Sequence, residues 1–452
     1  MSEILNAFLL NKVEIPLVSV TAAIEDAGYL VDVDHFKRLQ KDIEAKLKDS
    51  TRDFRKALGK VIGKTKASMF NPESHPQVRA LLYDTMKLPV SKRTKNGAPS
   101  TDDETLSLLA DTIPIAGLLI TLRKLTKFKS TYCDGILEAV GSDGRLHPDF
   151  NQLGADTGRF TANGIIQTMP KVRNDEFGIR KGFRAPPGCQ IVAGDFSQQE
   201  LRILAQVSGD PAMQQAIKDG VDLHGLAAVK VYKLACEPND VETKHPEYRD
   251  GIKAVQFGLI YGKSPKSLAS DLKITIDEAK QLLDDYFAEF PKVKEFTEDV
   301  HKQLQRDGYV DDLFGRRRYF LHCKAKAKTQ RQRFKNAPPN RDTIRRLNMA
   351  KRAAQNFAIQ GPAATITKLA MLACYKHITK EHPDIRMILT LHDEIQFEVP
   401  DALVDHFATE LPELMCDLGL AKFRFTTPMK VAVKVGPTWA DLKPWKGPAD
   451  AK

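Results

Sequence analysis

Two apolar runs near the C-terminal end constrain the fold more than any other feature of the sequence. Residues 385–391 and 395–399 are each apolar enough to form a buried strand, and only residues 392–394 separate them. Two such runs joined by a short polar turn are the pattern of a β-hairpin. A further short apolar run, at 190–194, predicts a strand far upstream in the chain.

Most of the remaining chain shows the three- and four-residue apolar spacing that is typical of helices. This spacing covers the stretches 14–140, 222–319 and 349–377. Gly361 and Pro362 fall inside the last stretch, and a proline lacks the amide proton that a helix interior needs, so we expect an interruption there. The sequence thus predicts a mainly helical protein that includes a β-hairpin.

Length and composition exclude several classes of protein. A chain of 452 residues is long enough for about three domains. Its 42% hydrophobic and 28% charged residues are those of an ordinary globular protein, and no run approaches about 18 apolar residues, so we expect no membrane span. The N-terminus lacks the features of a signal peptide, and the six cysteines are scattered singly. We therefore expect a cytoplasmic protein without disulfide bonds and, since no C-x-x-C is present, without a zinc site.

Positive charge is concentrated in one segment of the chain. The net charge is +10, yet residues 316–346 alone hold twelve Lys or Arg against one acid, so the other 421 residues sum to about −1. A basic segment of this kind is often only a solvated loop. It can also bind nucleic acid, because clustered cations release counterions from the phosphates. Charge alone leaves both interpretations open.

Acidic residues flank the predicted strands. Asp195 directly follows the run 190–194, and Asp393 and Glu394 lie in the turn of the predicted hairpin. Each could be a solvated loop residue, but strand-end aspartates from two such strands can meet at one edge of a sheet. Facing carboxylates repel each other unless cations lie between them. The pattern therefore indicates a two-metal site, and oxygen ligands without cysteine favour Mg²⁺ over zinc.

Two cations and two aromatic residues recur at four-residue steps. Arg249, Lys253, Phe257 and Tyr261 follow one face of a predicted helix, which Gly262 would end. Core packing explains Phe257 well but explains the cations poorly. A nucleoside triphosphate would explain all four, with its phosphates on the cations and its sugar and base on the aromatic rings.

Together these motifs resemble family A, the DNA polymerase I-like DNA polymerases. The resemblance runs from about residue 14 to about residue 439. Its three main motifs are D-F-S-Q-Q-E-L-R at 195–202, R-x-x-x-K-x-x-x-F-x-x-x-Y-G at 249–262, and L-H-D-E at 391–394. Supporting matches lie at 127–132, 157–159, 308–318 and 352–361.

The resemblance implies an α+β right-hand fold with a helical thumb, an antiparallel palm sheet and helical fingers. The implied divisions are an N-terminal segment that leads into the palm (1–36), the thumb (37–140), the first part of the palm (141–215), the fingers (216–350) and the second part of the palm (351–452). The stretch from about 322 to 341 is longer than the family's usual link, so we interpret it as a basic insertion. Its Lys324, Lys326 and Lys328 are expected to contact template or displaced strand.

The resemblance also implies a role for each motif residue in catalysis. Asp195 and Asp393 would bind two Mg²⁺ ions, for which Mn²⁺ can substitute, and Glu394 would assist them. Lys253 would protonate the departing pyrophosphate. The residues that would contact the incoming nucleotide are Arg249, Lys253, Phe257, Tyr261, His224 and Glu200, the last as the steric gate against ribonucleotides. Those that would contact DNA near the primer end are Arg159, Arg352, Asn356, Gln360 and His392.

The activity implied is template-directed extension of a primer 3′-hydroxyl with dNTPs, with release of pyrophosphate. Only about 13 residues precede the thumb-like region, so we expect neither a 3′–5′ nor a 5′–3′ exonuclease, a layout that would suit a phage. The expected partners are primer–template DNA and dNTPs, with a separate proofreading exonuclease, helicase or primase, in the cytoplasm of a bacterium or a phage-infected host. Two alternatives are a single-subunit RNA polymerase-like enzyme and a non-catalytic DNA-binding scaffold.

Overall fold

Helices make up most of the protein. The structure, a computed structural model, describes residues 7–94, 96–170, 175–320, 323 and 341–448. Its helices, in chain order, are α1 (Ile15–Ala27), α2 (Val33–Ile62), α3 (Lys64–Met69), α4 (His75–Arg79), α5 (Asp103–Ala110), α6 (Pro114–Lys127), α7 (Gly135–Ala139), α8 (Gln199–Ser208), α9 (Pro211–Lys218), α10 (Leu223–Tyr232), α11 (Val241–Lys244), α12 (Pro246–Ile260), α13 (Pro265–Leu272), α14 (Ile276–Glu289), α15 (Pro291–Asp307), α16 (Arg341–Glu381) and α17 (Val404–Cys416).

Antiparallel strands complete the fold. In chain order they are β1 (Tyr29–Leu30), β2 (Arg145–Leu146), β3 (Asp149–Asn151), β4 (Thr161–Asn163), β5 (Cys189–Phe196), β6 (Tyr309–Asp311), β7 (Arg317–Tyr319), β8 (Arg386–Leu391), β9 (Glu394–Pro400), β10 (Val431–Gly436) and β11 (Lys443–Pro444). The central sheet has the order β11–β10–β5–β9–β8, and β1–β2, β3–β4 and β6–β7 form two-stranded pairs. The expected combination of helices with an antiparallel sheet is confirmed.

The strand that carries Asp195 is longer than its apolar run predicts. β5 pairs on both sides, so that Asp195 lies opposite Glu394 of β9 and opposite Ala432 of β10. Because both ladders continue past the apolar residues, Asp195 lies within the strand and does not follow it, which corrects the sequence interpretation. The predicted hairpin is confirmed to within one residue at each strand end, as β8 and β9.

Two helix predictions are wrong in detail. α16 runs without interruption through Pro362, because its middle turns are buried on most sides and packing outweighs the local cost of a proline. Residues 309–319, predicted helical, instead form the β6–β7 hairpin. Gly308 ends α15 with a φ of 74°, a left-handed conformation that glycine adopts readily.

α16 is also the one helix in the described chain that is long and apolar enough to cross a membrane. Its 40-residue stretch Asp342–Glu381 meets that test by length and composition, but 83% of the apolar window is buried inside the protein. This burial is typical of a core helix, so the helix gives no reason to revise the expectation that the chain has no membrane span.

Helices α2 to α6 enclose a hydrophobic core that is separate from the core around the central sheet. Phe54 on α2, Leu106 on α5 and Leu119 on α6 belong to this second core. The beginning of α2, with Phe36, packs into the main core instead. The segment expected to be the thumb therefore has a core of its own, formed by α2 to α6. The first turns of α2 attach it to the main core.

A buried ion cluster attaches the N-terminal part of the chain to α16. Lys368, only 1% exposed, donates from Nζ to both carboxylate oxygens of Glu14 at 2.9 Å and to the Gln152 carbonyl at 2.8 Å. Arg316 donates to the same Glu14 carboxylate. Burial lowers the pKa of Lys368 to about 8, although the charge of Glu14 opposes that shift. One carboxylate thus compensates two cations.

Candidate active site

The pairing of β5 with β9 brings the predicted acidic residues together. Asp195 lies opposite Glu394 in that ladder, and the backbone N–H of Phe196 donates to the Asp393 carbonyl at 3.2 Å. Asp393 occupies the turn between β8 and β9, next to His392, which has a positive φ of 60°. The strand-end carboxylates therefore meet at one edge of the sheet, as predicted.

These carboxyl groups perturb one another. Burial, together with the charges of Asp195 and Glu200, raises the pKa of Asp393 to about 7, although the charge of Arg159 opposes the shift. Burial also raises the pKa of Glu394, again with help from Asp195. Such a group of crowded oxygen donors has more negative charge than its protein surroundings neutralise, which is the chemistry that a hard divalent cation fits.

Lys434 also contacts this acidic group, although none of the sequence motifs includes it. Its Nζ lies 3.0 Å from Asp195 Oδ2 and 3.7 Å from Glu394 Oε2. Burial alone would lower the pKa of Lys434, but the charges of Asp195 and Glu394 raise it above its ordinary value. The available sequence signal was a lysine inside the otherwise apolar run of β10. Only the pairing of β10 with β5 tells which carboxylates it contacts.

A chain of hydrogen bonds orients Glu394. The side-chain amide of Gln396 donates to Glu394 Oε1 at 2.6 Å, and the Tyr29 hydroxyl donates to Gln396 Oε1 at 2.9 Å. Tyr29 is fully buried between Phe183 and Trp439. The main core thus holds one carboxylate of this acidic group in position. No local pattern in the sequence points to Gln396 or Tyr29 for this role.

The predicted cation–aromatic face lies on α12. Arg249, Lys253 and Phe257 belong to this helix and Tyr261 directly follows it. The rings of Phe257 and Tyr261 stack, with centroids 6.1 Å apart and planes 16° apart. Gly262 has a φ of 61° and approaches α16 so closely that a Cβ atom would lie 2.7 Å from Arg352 Cγ. A glycine is therefore required where α12 ends.

Arg249 on α12 and His224 on α10 are already bonded to other side chains of the protein. Arg249 donates from Nε to Asp222 Oδ2 at 2.8 Å. His224 is 4% exposed, and its ring Nδ1 is hydrogen-bonded to Gln256 Oε1, while burial lowers its pKa. In this conformation a phosphate would have to share or displace Asp222 to contact Arg249, and His224 would have to become exposed. Lys253, by contrast, is exposed.

Glu200 lies in the first turn of α8, just after β5, and close to Tyr261 at the end of α12. Arg159 and Gln360 both donate to Glu200 Oε1, the latter at 3.2 Å. Burial raises the pKa of Tyr261, as does Glu200, and side-chain hydrogen bonds with Arg159 and Gln360 oppose the shift. Glu200 Oε2 is buried and has no hydrogen-bond partner among the described residues. The structure thus gathers four predicted site residues into one cluster.

The other residues expected to contact DNA differ in how far they are exposed. Arg352 is exposed and Asn356 half-buried on α16, while His392 is exposed in the β8–β9 turn. Lys324, Lys326 and Lys328 lie outside the described residues.

Comparisons with known proteins give a consistent result. Residues 33–441 match the sequence model of DNA polymerase family A. The chain is 35% identical to DNA polymerase I of Caldicellulosiruptor bescii over 439 residues, which cover 96% of this chain and 48% of that protein. It is 32% identical to the thermostable DNA polymerase I of Thermus aquaticus, covering 96% of this chain and 49% of that protein. It therefore spans about half the length of these relatives.

A solved structure supports the same assignment. The polymerase domain of Pol1 from M. smegmatis, in complex with DNA primer–template and dNTP, superimposes with a TM-score of 0.81 at 33% sequence identity, covering 96% of this chain and 72% of that one. The expected right-hand polymerase fold is thereby confirmed. This chain belongs to DNA polymerase family A.

Proposed function

We propose that this chain is a DNA-directed DNA polymerase that extends a primer 3′-hydroxyl with dNTPs and releases pyrophosphate. One observation carries the proposal. The β5–β9 ladder brings Asp195 and Asp393 to the same sheet edge although they are 198 positions apart in the sequence. Their acidic group lies beside the cluster formed by Glu200, Arg159 and Tyr261, since Glu200 and Arg159 both shift the pKa of Asp393.

Asp195 and Asp393 are proposed to hold two Mg²⁺ ions, and Mn²⁺ can replace them because it also accepts oxygen ligands. The raised pKa of Asp393 supports this role, since a buried carboxyl beside another carboxylate gives up its proton more readily when a cation compensates the charge. Bound there, the ions would lower the pKa of the primer hydroxyl and stabilise the leaving pyrophosphate. Glu394, which accepts a hydrogen bond from Gln396, lies opposite Asp195 in the ladder and would assist in holding the ions.

The triphosphate of the incoming nucleotide is proposed to lie along α12. Arg249 and Lys253 provide positive charge for the phosphates, and the stacked rings of Phe257 and Tyr261 border the sugar and base. Lys253 is the proposed general acid for the pyrophosphate, because it is exposed on the helix face that the phosphates would follow. Arg249 would exchange its bond with Asp222 for a phosphate oxygen.

Glu200 is the proposed steric gate against ribonucleotides. Arg159 and Gln360 fix its carboxylate by hydrogen bonds, so the side chain cannot swing away to make room for a 2′-hydroxyl. The charge of Glu200 also raises the pKa of Tyr261, and this proximity supports a gate at the end of the proposed nucleotide site. The steric gate favours a DNA polymerase over the single-subunit RNA polymerase alternative.

Primer–template DNA is the proposed partner. The residues that would contact the primer–template end are Arg159, Arg352, Asn356, Gln360 and His392. The domain ranges given by the sequence analysis are also proposals. The insertion lysines would contact template or displaced strand. If replacing Lys324, Lys326 and Lys328 with glutamine left DNA affinity and its salt dependence unchanged, that part of the proposal would be wrong. A cytoplasmic location and any helicase, primase or exonuclease partner also stay predictions.

Primer extension tests the proposal. A 5′-labelled primer on a DNA template is incubated with Mg²⁺ and with dNTPs or rNTPs. We expect extension by dNTPs, loss of extension in Asp393→Asn, and normal extension in Asp401→Asn, a matched control because Asp401 is an exposed acid just beyond β9. A primer with a mismatched 3′ end, run in parallel, shows by shortening whether a 3′–5′ exonuclease is present.

Each other outcome points to a named alternative. Extension with rNTPs in preference to dNTPs would assign an RNA polymerase and refute the role of Glu200. DNA binding without extension under any of these conditions would favour the scaffold. Equal extension by Asp393→Asn and the wild type would show that the acidic group is not the active site.

A further inference from the structure

Three histidines and a glutamate form a cluster away from the proposed active site. His377 is in the last turns of α16, and His382 directly follows that helix. His406 and Glu410 lie one turn apart on α17. β8 begins four residues after His382 and runs for six residues, about 20 Å, towards Asp393. The cluster therefore lies at the opposite end of β8 from the acidic group.

Three of these side chains, His377, His382 and Glu410, converge on one point, and His406 contacts the other oxygen of the same carboxylate. The Nε2 atoms of His377 and His382 lie 3.2 Å and 3.7 Å from Glu410 Oε2, and His406 Nε2 lies 3.4 Å from Glu410 Oε1. The ligand atoms of His377, His382 and Glu410 all lie within 4.8 Å of one another. The ring of His382 is 5.3 Å from that of His377 and 5.2 Å from that of His406 between centroids.

Hydrogen bonding explains only part of this arrangement. The 3.2 Å contact of His377 is a hydrogen bond, but 3.7 Å from His382 is too long for one. Nevertheless all three rings turn the same nitrogen, Nε2, towards the same carboxylate. Imidazole nitrogens and a carboxylate oxygen spaced this way can close around one ion at the roughly 2.0–2.2 Å bond lengths of zinc, with small side-chain movements.

We propose that His377, His382, His406 and Glu410 bind one divalent transition-metal ion of the zinc class. His377, His382 and Glu410 supply three ligand atoms close enough for one ion, and His406, whose ring lies beside that of His382, would move in as the fourth ligand. With three imidazoles and one carboxylate in a tetrahedral set, no position would be left open for a substrate, as in structural rather than catalytic zinc sites. The ion would cross-link the end of α16 to α17, which packs under the central sheet. His406, at 58% exposed, provides the route of entry from solvent.

Titration of the metal-stripped protein with Co²⁺ and Zn²⁺ tests the proposal. Excess Mg²⁺ is present throughout, and the Asp195→Asn/Asp393→Asn variant is titrated in parallel to remove the acidic group. We expect about one Co²⁺ per chain with the visible absorption of tetrahedral cobalt, displaced by Zn²⁺ with a Kd of about 1 µM or tighter. Zn²⁺ should also raise the unfolding temperature.

Variants separate this site from non-specific binding. Glu410→Gln and His406→Gln should each weaken Zn²⁺ binding at least about tenfold and abolish the cobalt spectrum, while Glu413→Gln, an exposed acid on the same helix, should change neither. Circular dichroism of the metal-free variants checks that they fold. A Kd above about 10 µM, or equal affinity in the cluster variants and the wild type, would overturn the proposal.

Discussion

Replacing Glu14 with glutamine should destabilise the protein by about 3–4 kcal/mol at pH 7. The change keeps the shape of the side chain but removes the negative charge that Lys368 and Arg316 both contact. Breaking a buried ion pair by removing one partner is costly because the other charge remains buried. In this cluster two cations would remain.

The magnitude follows from how each cation can respond. Lys368 can lose its proton. Because its pKa is about 8, its neutral form lies only about 1.4 kcal/mol above the charged form at pH 7. Lys368 therefore adds at most about 1.4 kcal/mol to the loss of stability. Arg316 cannot lose its proton, so it forfeits a hydrogen bond to a charged group, about 1.5–3 kcal/mol. Together these contributions give the expected loss.

The expected pH dependence is specific. The folded pKa of Lys368 lies below the value of 10.5 in the unfolded chain, so the unfolded chain binds more protons between pH 8 and 10.5 and stability from this group rises with pH. Without Glu14 that pKa falls further. The deficit of Glu14→Gln should therefore shrink by about 1 kcal/mol between pH 7 and pH 9.

Urea unfolding followed by circular dichroism measures the loss. Asp26→Asn, which changes an exposed acid in the same N-terminal region, is the control and should stay within about 0.5 kcal/mol of the wild type. The double variant Glu14→Gln/Lys368→Met should recover at least about 1 kcal/mol, because it removes the buried cation as well. A loss below about 1 kcal/mol, or a deficit independent of pH, would refute the reasoning.

Three further predictions concern the proposed active site. Glu200→Ala should raise the use of rNTPs relative to dNTPs about 10²-fold in kcat/KM, since it removes the side chain that would exclude a 2′-hydroxyl; an unchanged ratio would exclude the gate. Lys434→Met should tighten Mn²⁺ binding in the absence of DNA about tenfold, because it removes an ammonium 3.0 Å from Asp195 that competes with the metal; weaker binding would show that Lys434 positions the carboxylate instead. Gly194→Ala should cost about 1–3 kcal/mol in thermal unfolding, because its Cβ atom would lie 2.4 Å from Met415 Sδ; a neutral effect would show that the helix beneath β5 can shift.

Features encoded by neighbouring residues were predictable from the sequence. The β8–β9 hairpin depends on two apolar runs and a short turn, and the face of α12 depends on a four-residue repeat, so both were found close to their observed positions. Local rules were sufficient for these two features, since each is specified by a short stretch of neighbouring residues. The meeting of Asp195 with Asp393 was also expected, because both were predicted at strand ends, but it depends on the pairing of β5 with β9 across 198 positions of sequence.

Features that depend on packing were not predictable in this way. Pro362 should break a helix by its local chemistry, but the burial of α16 outweighs that cost. Lys434 reaches Asp195 only because β10 pairs with β5, and Glu14 reaches Lys368 across more than 350 positions of sequence. In these cases the tertiary fold decides which groups meet and which helix turns are buried. Local patterns in the sequence do not reveal this.

The seven residue pairs of the β5–β9 ladder have a consequence for how such a chain can change. They set the separation of Asp195 and Asp393 whatever the length of the chain that loops out between them. Under the proposed function, insertions, deletions or whole exchanged segments between them could alter DNA binding or nucleotide selection while the spacing of the two carboxylates stays constant. The sheet would thus separate the part of the molecule that must keep its geometry from the part that can diversify.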